Sequence, residues 1–384
     1  MPPADEVNIE SEVAAWEVWE DPGGPIAQHE LRKQIESAYE ISPPWRLAQL
    51  ILTFSAVASR RTPRYLFRTW NWASGGNAAL DTTKAITPLA FHKGIGRSSI
   101  HAYSRSVLAD LADQHYTHSV NVDTPFSSWS GSLAFVLSFA SSRTDGYISI
   151  VDTKRLPKHN VFLHTCSMSF IAPDFCGGAH EFLGFGVISG SAHKAVPFTK
   201  LLDNGLHSLS APYKLSPVYD YEPDVDGADY DDLDEFALQD AQKEESAEGN
   251  PGQLRKLLVD AQKLGRHFGE DFALPMSVYL LCLRYRTSSV SEQIVAELAS
   301  AAIPEKWAQD RTIMGEAAST GFLEDTMRSI VLMRALVKRK LGTCTGTGVE
   351  TLESQVKKEL SIAQPASRAP SIDMIGWQRS ELLG

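Results

Sequence analysis

The chain is poor in cysteine, with four in 384 residues: Cys166, Cys176, Cys282 and Cys344. No two form a Cys-x-x-Cys pair, and no Cys/His grouping has zinc-finger spacing. A disulfide framework is therefore excluded as the organising device, and buried free thiols are expected. Positive charge is also short. Lys and Arg total 36 against 47 Asp and Glu, a formal net charge of −11. That balance argues against a general nucleic-acid-binding role, which needs a basic surface. Long apolar runs are absent as well. Leu47 to Ala58 is apolar but much shorter than the ~20 residues of a membrane helix. The first residues, Met1-Pro2-Pro3-Ala4-Asp5-Glu6, are acidic and carry no apolar signal core. A soluble, intracellular and cytoplasmic protein with no membrane contact is expected.

What is present supports a sizeable core, since 43% of residues are hydrophobic. Residues 1–25 read as a mobile N-terminus ending in the turn chemistry of Asp21-Pro22-Gly23-Gly24-Pro25. Ile26 to Tyr39 and Pro44 to Ser59 carry helical periodicity. Arg64 to Trp70 alternates and reads as a strand. Ser98 to His115 reads as a helix, and Gly131 to Ser141 as a short apolar one. Tyr147 to Asp152, Val161 to Leu163, Glu181 to Ser189 and Ala195 to Phe198 read as strands. The fold class is therefore α+β. Residues 216–250 are a solvated acidic linker, because a run of like charges repels itself. Residues 251–341 read as a small all-helical unit, with helices over Gly252 to Phe268, Pro275 to Arg286, Val290 to Ala302 and Thr326 to Lys340. Residues 342–384 read as a disordered tail.

Three places carry candidate chemistry. Arg68 lies on the first strand, and its planar fork suits phosphate. Alone, beside Tyr65 and Phe67, it reads first as one half of a core-edge ion pair. In Phe126-Ser127-Ser128-Trp129-Ser130 the period of two puts Ser128 and Ser130 on one face and Trp129 on the other. Ser127 is a candidate cap for the helix that follows. Glu181 opens an apolar strand directly after Gly177-Gly178-Ala179-His180, where a carboxylate can take a ribose hydroxyl. The histidines, His92, His101, His115, His118, His164, His180 and His193, have no metal-ligand spacing, so no metal site is expected. Gly94-Ile95-Gly96-Arg97-Ser98-Ser99 lacks the phosphate-loop lysine, which leaves only a helix N-terminus as an anion site.

Taken in order, Arg68, the serine strand and Glu181 resemble the arginine–serine–glutamate signature of ADP-ribosyltransferase-like folds. In that family a Phe-x-Ser-Thr-Ser strand leads into an Ala-x-x-Phe-Ala helix. Here Trp129 stands in the threonine place and the helix carries Ser138-Phe139-Ala140. The wider stretch, roughly residues 60 to 200, is similar to an uncharacterised, mainly fungal domain family of that type. The phrases that carry this are Pro63-Arg64-Tyr65-Leu66-Phe67-Arg68, Phe126-Ser127-Ser128-Trp129 and Glu181-Phe182-Leu183-Gly184-Phe185-Gly186-Val187-Ile188-Ser189-Gly190.

The resemblance implies a split β-sheet core with flanking helices over residues 26–215, and NAD as substrate. It implies that Glu181 holds the ribose 2′-hydroxyl and stabilises positive charge as nicotinamide leaves. Arg68 would anchor the dinucleotide, Ser128 and Ser130 would brace the ribose, and Tyr103, Trp70 or Trp72 would stack on nicotinamide. Many relatives place Glu or Gln two residues before the glutamate to orient a protein acceptor, and here that place is Ala179. Three readings stay open at this point: transfer to a protein acceptor, NAD hydrolysis, and a catalytically silent module that binds a protein partner.

Overall fold

The computed structural model describes residues 62–71, 80–116, 123–141, 145–165, 181–209, 251–283, 288–298, 303–314 and 324–342. The N-terminal segment with its two expected helices, the acidic linker and the C-terminal tail lie outside the described residues. So do Trp72, His118 and the stretch Gly177 to His180.

Strand β1 (Tyr65–Trp70) forms as its alternation predicts, and pairs antiparallel along its whole length with β4 (Tyr147–Asp152). Strands β3 (Phe126–Ser130), β5 (Val161–His164), β6 (Glu181–Phe185) and β8 (His193–Pro197) complete an antiparallel sheet in the order β5-β6-β3-β1-β4-β8. Strands β2 (Ala85–Ile86) and β7 (Ile188–Ser189) make a separate two-stranded ribbon. The strand expected to run from Glu181 to Ser189 is thus two strands. Gly186 breaks it with φ of 91°, a conformation that side-chain-bearing residues rarely adopt. Asn160 Nδ2 holds the bend by donating to the carbonyls of Phe185 and Val187.

Short helices α1 (Leu89–His92), α4 (Phe198–Asp203) and α5 (Leu206–Leu209) connect or follow strands. The helix expected over Ser98 to His115 is a 3-10 turn, Ile100–Ala102, followed by α2 (Arg105–Tyr116). Helix α3 (Leu133–Ser141) follows the serine strand as expected.

Period-two alternation sorts the sheet into two faces. One face carries Leu66, Trp70, Trp129, Val151, Phe162, Phe182 and Ala195 beneath Ile86 and Ile188 of the ribbon. The other face is covered in two parts. At one end Phe126, Leu163, Leu183 and Phe185 pack under Leu108 and Ala112 of α2. At the other, Tyr65, Phe67, Ile148, Ile150 and Val196 pack under Leu133, Val136 and Leu137 of α3.

That second part continues without a break into the C-terminal helices: α6 (Pro251–Arg266), α7 (Glu270–Leu281), α8 (Ser288–Leu298), α9 (Arg311–Met314) and α10 (Glu324–Lys340). The unit expected over 251–341 is helical, and it shares one core with the sheet. Its helix α7 starts at Glu270 rather than Pro275. Gly269, with φ of 85°, turns the chain, and Glu270 with Asp271 place negative charge at the helix N-terminus. Gly265 lets α6 and α7 touch, because a Cβ there would lie 2.3 Å from the Ala273 carbonyl oxygen. Among the described residues no helix is long and apolar enough to cross a membrane.

Buried polar contacts fix the helices on the sheet. Trp307 Nε1 donates to the Tyr65 hydroxyl at 2.8 Å. Arg64 donates to Asp152 at 3.0 Å and to Asp310 at 3.3 Å, with all three side chains buried. Tyr65→Phe leaves the Trp307 donor buried and unpaired. It should lower unfolding free energy by about 1–3 kcal/mol in urea titrations, with the sheet and helices still unfolding together.

Candidate functional site

Ser128, Ser130 and Glu181 fall on the face that α2 and α3 cover, and they fall in the gap between the two apolar clusters. Ser130 is the direct cross-strand partner of Glu181, and Ser128 is the partner of Leu183 one pair further on. Facing residues in such a pair have Cβ atoms about 4.5–5.5 Å apart. The result is a polar seam along β3 and β6, walled by Phe126, Leu183 and Phe185 on one side and by the α3 cluster on the other. Glu181 is buried at 7% exposure, whereas Ser128 is partly open.

Each hydroxyl of the strand has a different task. Ser130 Oγ accepts the Ser132 amide at 3.0 Å, and Ser132 Oγ accepts the Phe135 amide at 3.0 Å. Ser132 therefore caps α3. Ser127, the candidate cap, instead faces the opposite side, where it donates to Gly184 O and accepts the Trp129 indole at 2.9 Å. The turn is held from outside by α10: Asp325 Oδ2 accepts the Ala134 amide at 3.0 Å, and Thr326 Oγ1 donates to Gly131 O at 2.9 Å. Burial pushes the Asp325 carboxyl above its ordinary range, and the bonds from Ala134 and Ser132 pull it back only in part. Ser128 Oγ lies 3.0 Å from His115 Nε2, and His115 Nδ1 lies 2.8 Å from Thr124 Oγ1. Sequence spacing gave His115 no role. Its only signal was its place in the last turn of the helix that leads to the serine strand.

Arg68 is close to this row but on the other side of it. Leu66, Arg68 and Trp70 share one side of β1, the side on which Trp129 packs. β1 and β3 pair at a single position, Phe67 with Ser130. From there Arg68 Nη1 donates to the Ser128 carbonyl at 2.9 Å, and Nη2 bonds Asp81 at 2.8 Å. The structure thus brings Arg68 to the serine strand's backbone, while alternation takes its guanidinium away from the face of Glu181. Asp81 is buried and balances its charge. Nothing in the Asp81-Thr82-Thr83 turn marks Asp81 as that partner.

The aromatic candidates are placed elsewhere. Trp70 stacks on Tyr147, centroids 4.3 Å apart, and donates to Ser149 Oγ, so it is core. Tyr103 packs edge-on against Phe185 with Arg97 over its ring, and its hydroxyl accepts the Arg97 amide. Phe185 is four residues along β6 from Glu181, about 13 Å at the usual strand rise. The Gly94 to Ser99 loop leads into the 3-10 turn, not into a helix N-terminus. Among the described residues no group of three His, Cys, Asp or Glu side chains could hold a metal ion.

His193 sits on the Arg68 side, edge-on to Trp129 at 6.2 Å and 5% exposed. Neither ring nitrogen has a partner at full hydrogen-bond geometry. Burial lowers its pKa to about 4; the Lys84 backbone opposes this, and the positive charges of Arg68 and Lys194 add smaller downward shifts. The unfolded chain takes up the proton near the ordinary value of 6.5, so the folded state is favoured above that pH and loses stability as pH falls toward 4. The loss attributable to this residue should reach about 3 kcal/mol, read as the difference in urea stability between wild type and His193→Phe across that window. Parallel pH profiles for the two proteins would contradict the assignment.

A family model described as a domain of unknown function (DUF7587) matches residues 61–192. The match takes in the serine strand and Glu181 and stops before β8 and the C-terminal helices. No curated protein and no solved structure matches the chain.

Proposed function

We propose that the sheet and the helices packed on it form an ADP-ribosyltransferase-like module that binds NAD and cleaves its nicotinamide–ribose bond. One observation carries this reading: Glu181 is held in a polar seam directly opposite Ser130, with Ser128 next along the same face. A buried carboxylate beside two hydroxyls, between apolar walls, suits a sugar whose reacting carbon gains positive charge. Glu181 accepts the ribose 2′-hydroxyl and stabilises that charge. Ser128 and Ser130 line the ribose, and Arg68 braces the serine strand through the Ser128 carbonyl. NAD supplies the leaving group, neutral nicotinamide.

A second reading has its own support. The Arg68 charge is countered by Asp81, as a structural ion pair would be. A module of this kind keeps the fold and recruits a protein partner without using NAD. The two readings separate on one assay, in which the full chain is incubated with NAD labelled on nicotinamide. The enzymatic reading predicts release by wild type and a fall of about 10²–10³-fold in Glu181→Gln, with NAD still bound. Release that survives Glu181→Gln sinks the role given to Glu181, and no NAD binding by wild type selects the silent module.

A further inference from the structure

The seam needs a group that takes a proton from whatever attacks the ribose, and His115 is placed for it. Its ring bridges two hydroxyls, Thr124 Oγ1 at 2.8 Å and Ser128 Oγ at 3.0 Å. The ring also meets the Phe126 ring, edge-on at 6.2 Å. His164 and His193 belong to the opposite face of the sheet by register. Thr124 is buried and anchors the ring from behind. With Nδ1–H donating to Thr124, Nε2 carries a lone pair aimed at the Ser128 hydroxyl. Ser128 can then pass its own proton to Nε2 while accepting one from a molecule in the seam.

We propose that Ser128 and His115 form a proton relay for water, which makes hydrolysis of NAD the reaction of this site. The inference rests on the NAD reading above. In the step, the bond between ribose C1′ and the nicotinamide nitrogen breaks, and its electron pair neutralises the ring. The oxygen of water bonds to C1′. One water proton moves to Ser128 Oγ as the serine proton moves to His115 Nε2. The products are nicotinamide and ADP-ribose, and the proton leaves from His115 to solvent.

The test uses the full chain and NAD labelled in the ADP-ribose half. His115→Gln keeps a side chain that can hydrogen-bond the same hydroxyls and removes the base. It should bind NAD and melt as wild type does, yet release nicotinamide about 10²-fold or more slowly. In His115→Ala, added imidazole should restore part of the rate, which a purely structural histidine would not permit. The label should appear as free ADP-ribose. Release by His115→Gln at the wild-type rate overturns the relay alone, as does label that ends covalently on protein. Failure of wild type to bind NAD removes the underlying reading and the relay with it.

Discussion

Burial of the β1–β4 face beneath helices far along the chain is the constraint on which the other features rest. Tyr65 and Trp307 are 242 residues apart in sequence and meet through one hydrogen bond inside a shared core. Arg64 joins Asp152 of the sheet to Asp310 of the helical part in the same layer. A buried guanidinium costs several kcal/mol to desolvate, so its two carboxylates must both be in place. The sheet and the helices after Pro251 are for this reason one folding unit. The family match, which ends at residue 192, covers only part of the core that it needs.

The polar seam follows from the same constraint. Helix α3 covers Phe67, Ile148 and Ile150, and α2 covers Phe126 and Phe185, so the face between them is left to Ser128, Ser130 and Glu181. The turn that starts α3 is fixed by Asp325 and Thr326 at the head of α10. Ser130 then lies two hydrogen bonds from a helix of the C-terminal part, by way of Ser132. The helices position the seam as well as close the core.

Much of this layout is legible in the sequence where it depends on local period. Alternation alone assigns Trp129 to one face and the two serines to the other, and the period over residues 251–341 reads as helix. What depends on distant packing is not legible. Asp81 is an ordinary turn residue until β1 brings Arg68 to it, and His115 is one histidine among several until α2 lies across β3. Pro275 reads as a helix start, but Gly269 already turns the chain six residues earlier. The helical periodicity after residue 251 reveals an apolar face without revealing the sheet beneath it. The arginine–serine–glutamate resemblance rests on the order of these residues along the chain. It could not anticipate that alternation on β1 takes Arg68 to the far side of the serine strand.

The central claim is that the seam between α2 and α3 is where a dinucleotide binds. Hydrogen exchange read by mass spectrometry on the full chain, with and without NAD, tests it most directly. The account predicts slower exchange on adding NAD in peptides covering residues 112–116, 126–134 and 181–185, because these line the seam. Unchanged exchange in all three segments, or protection confined to residues outside them, would contradict it.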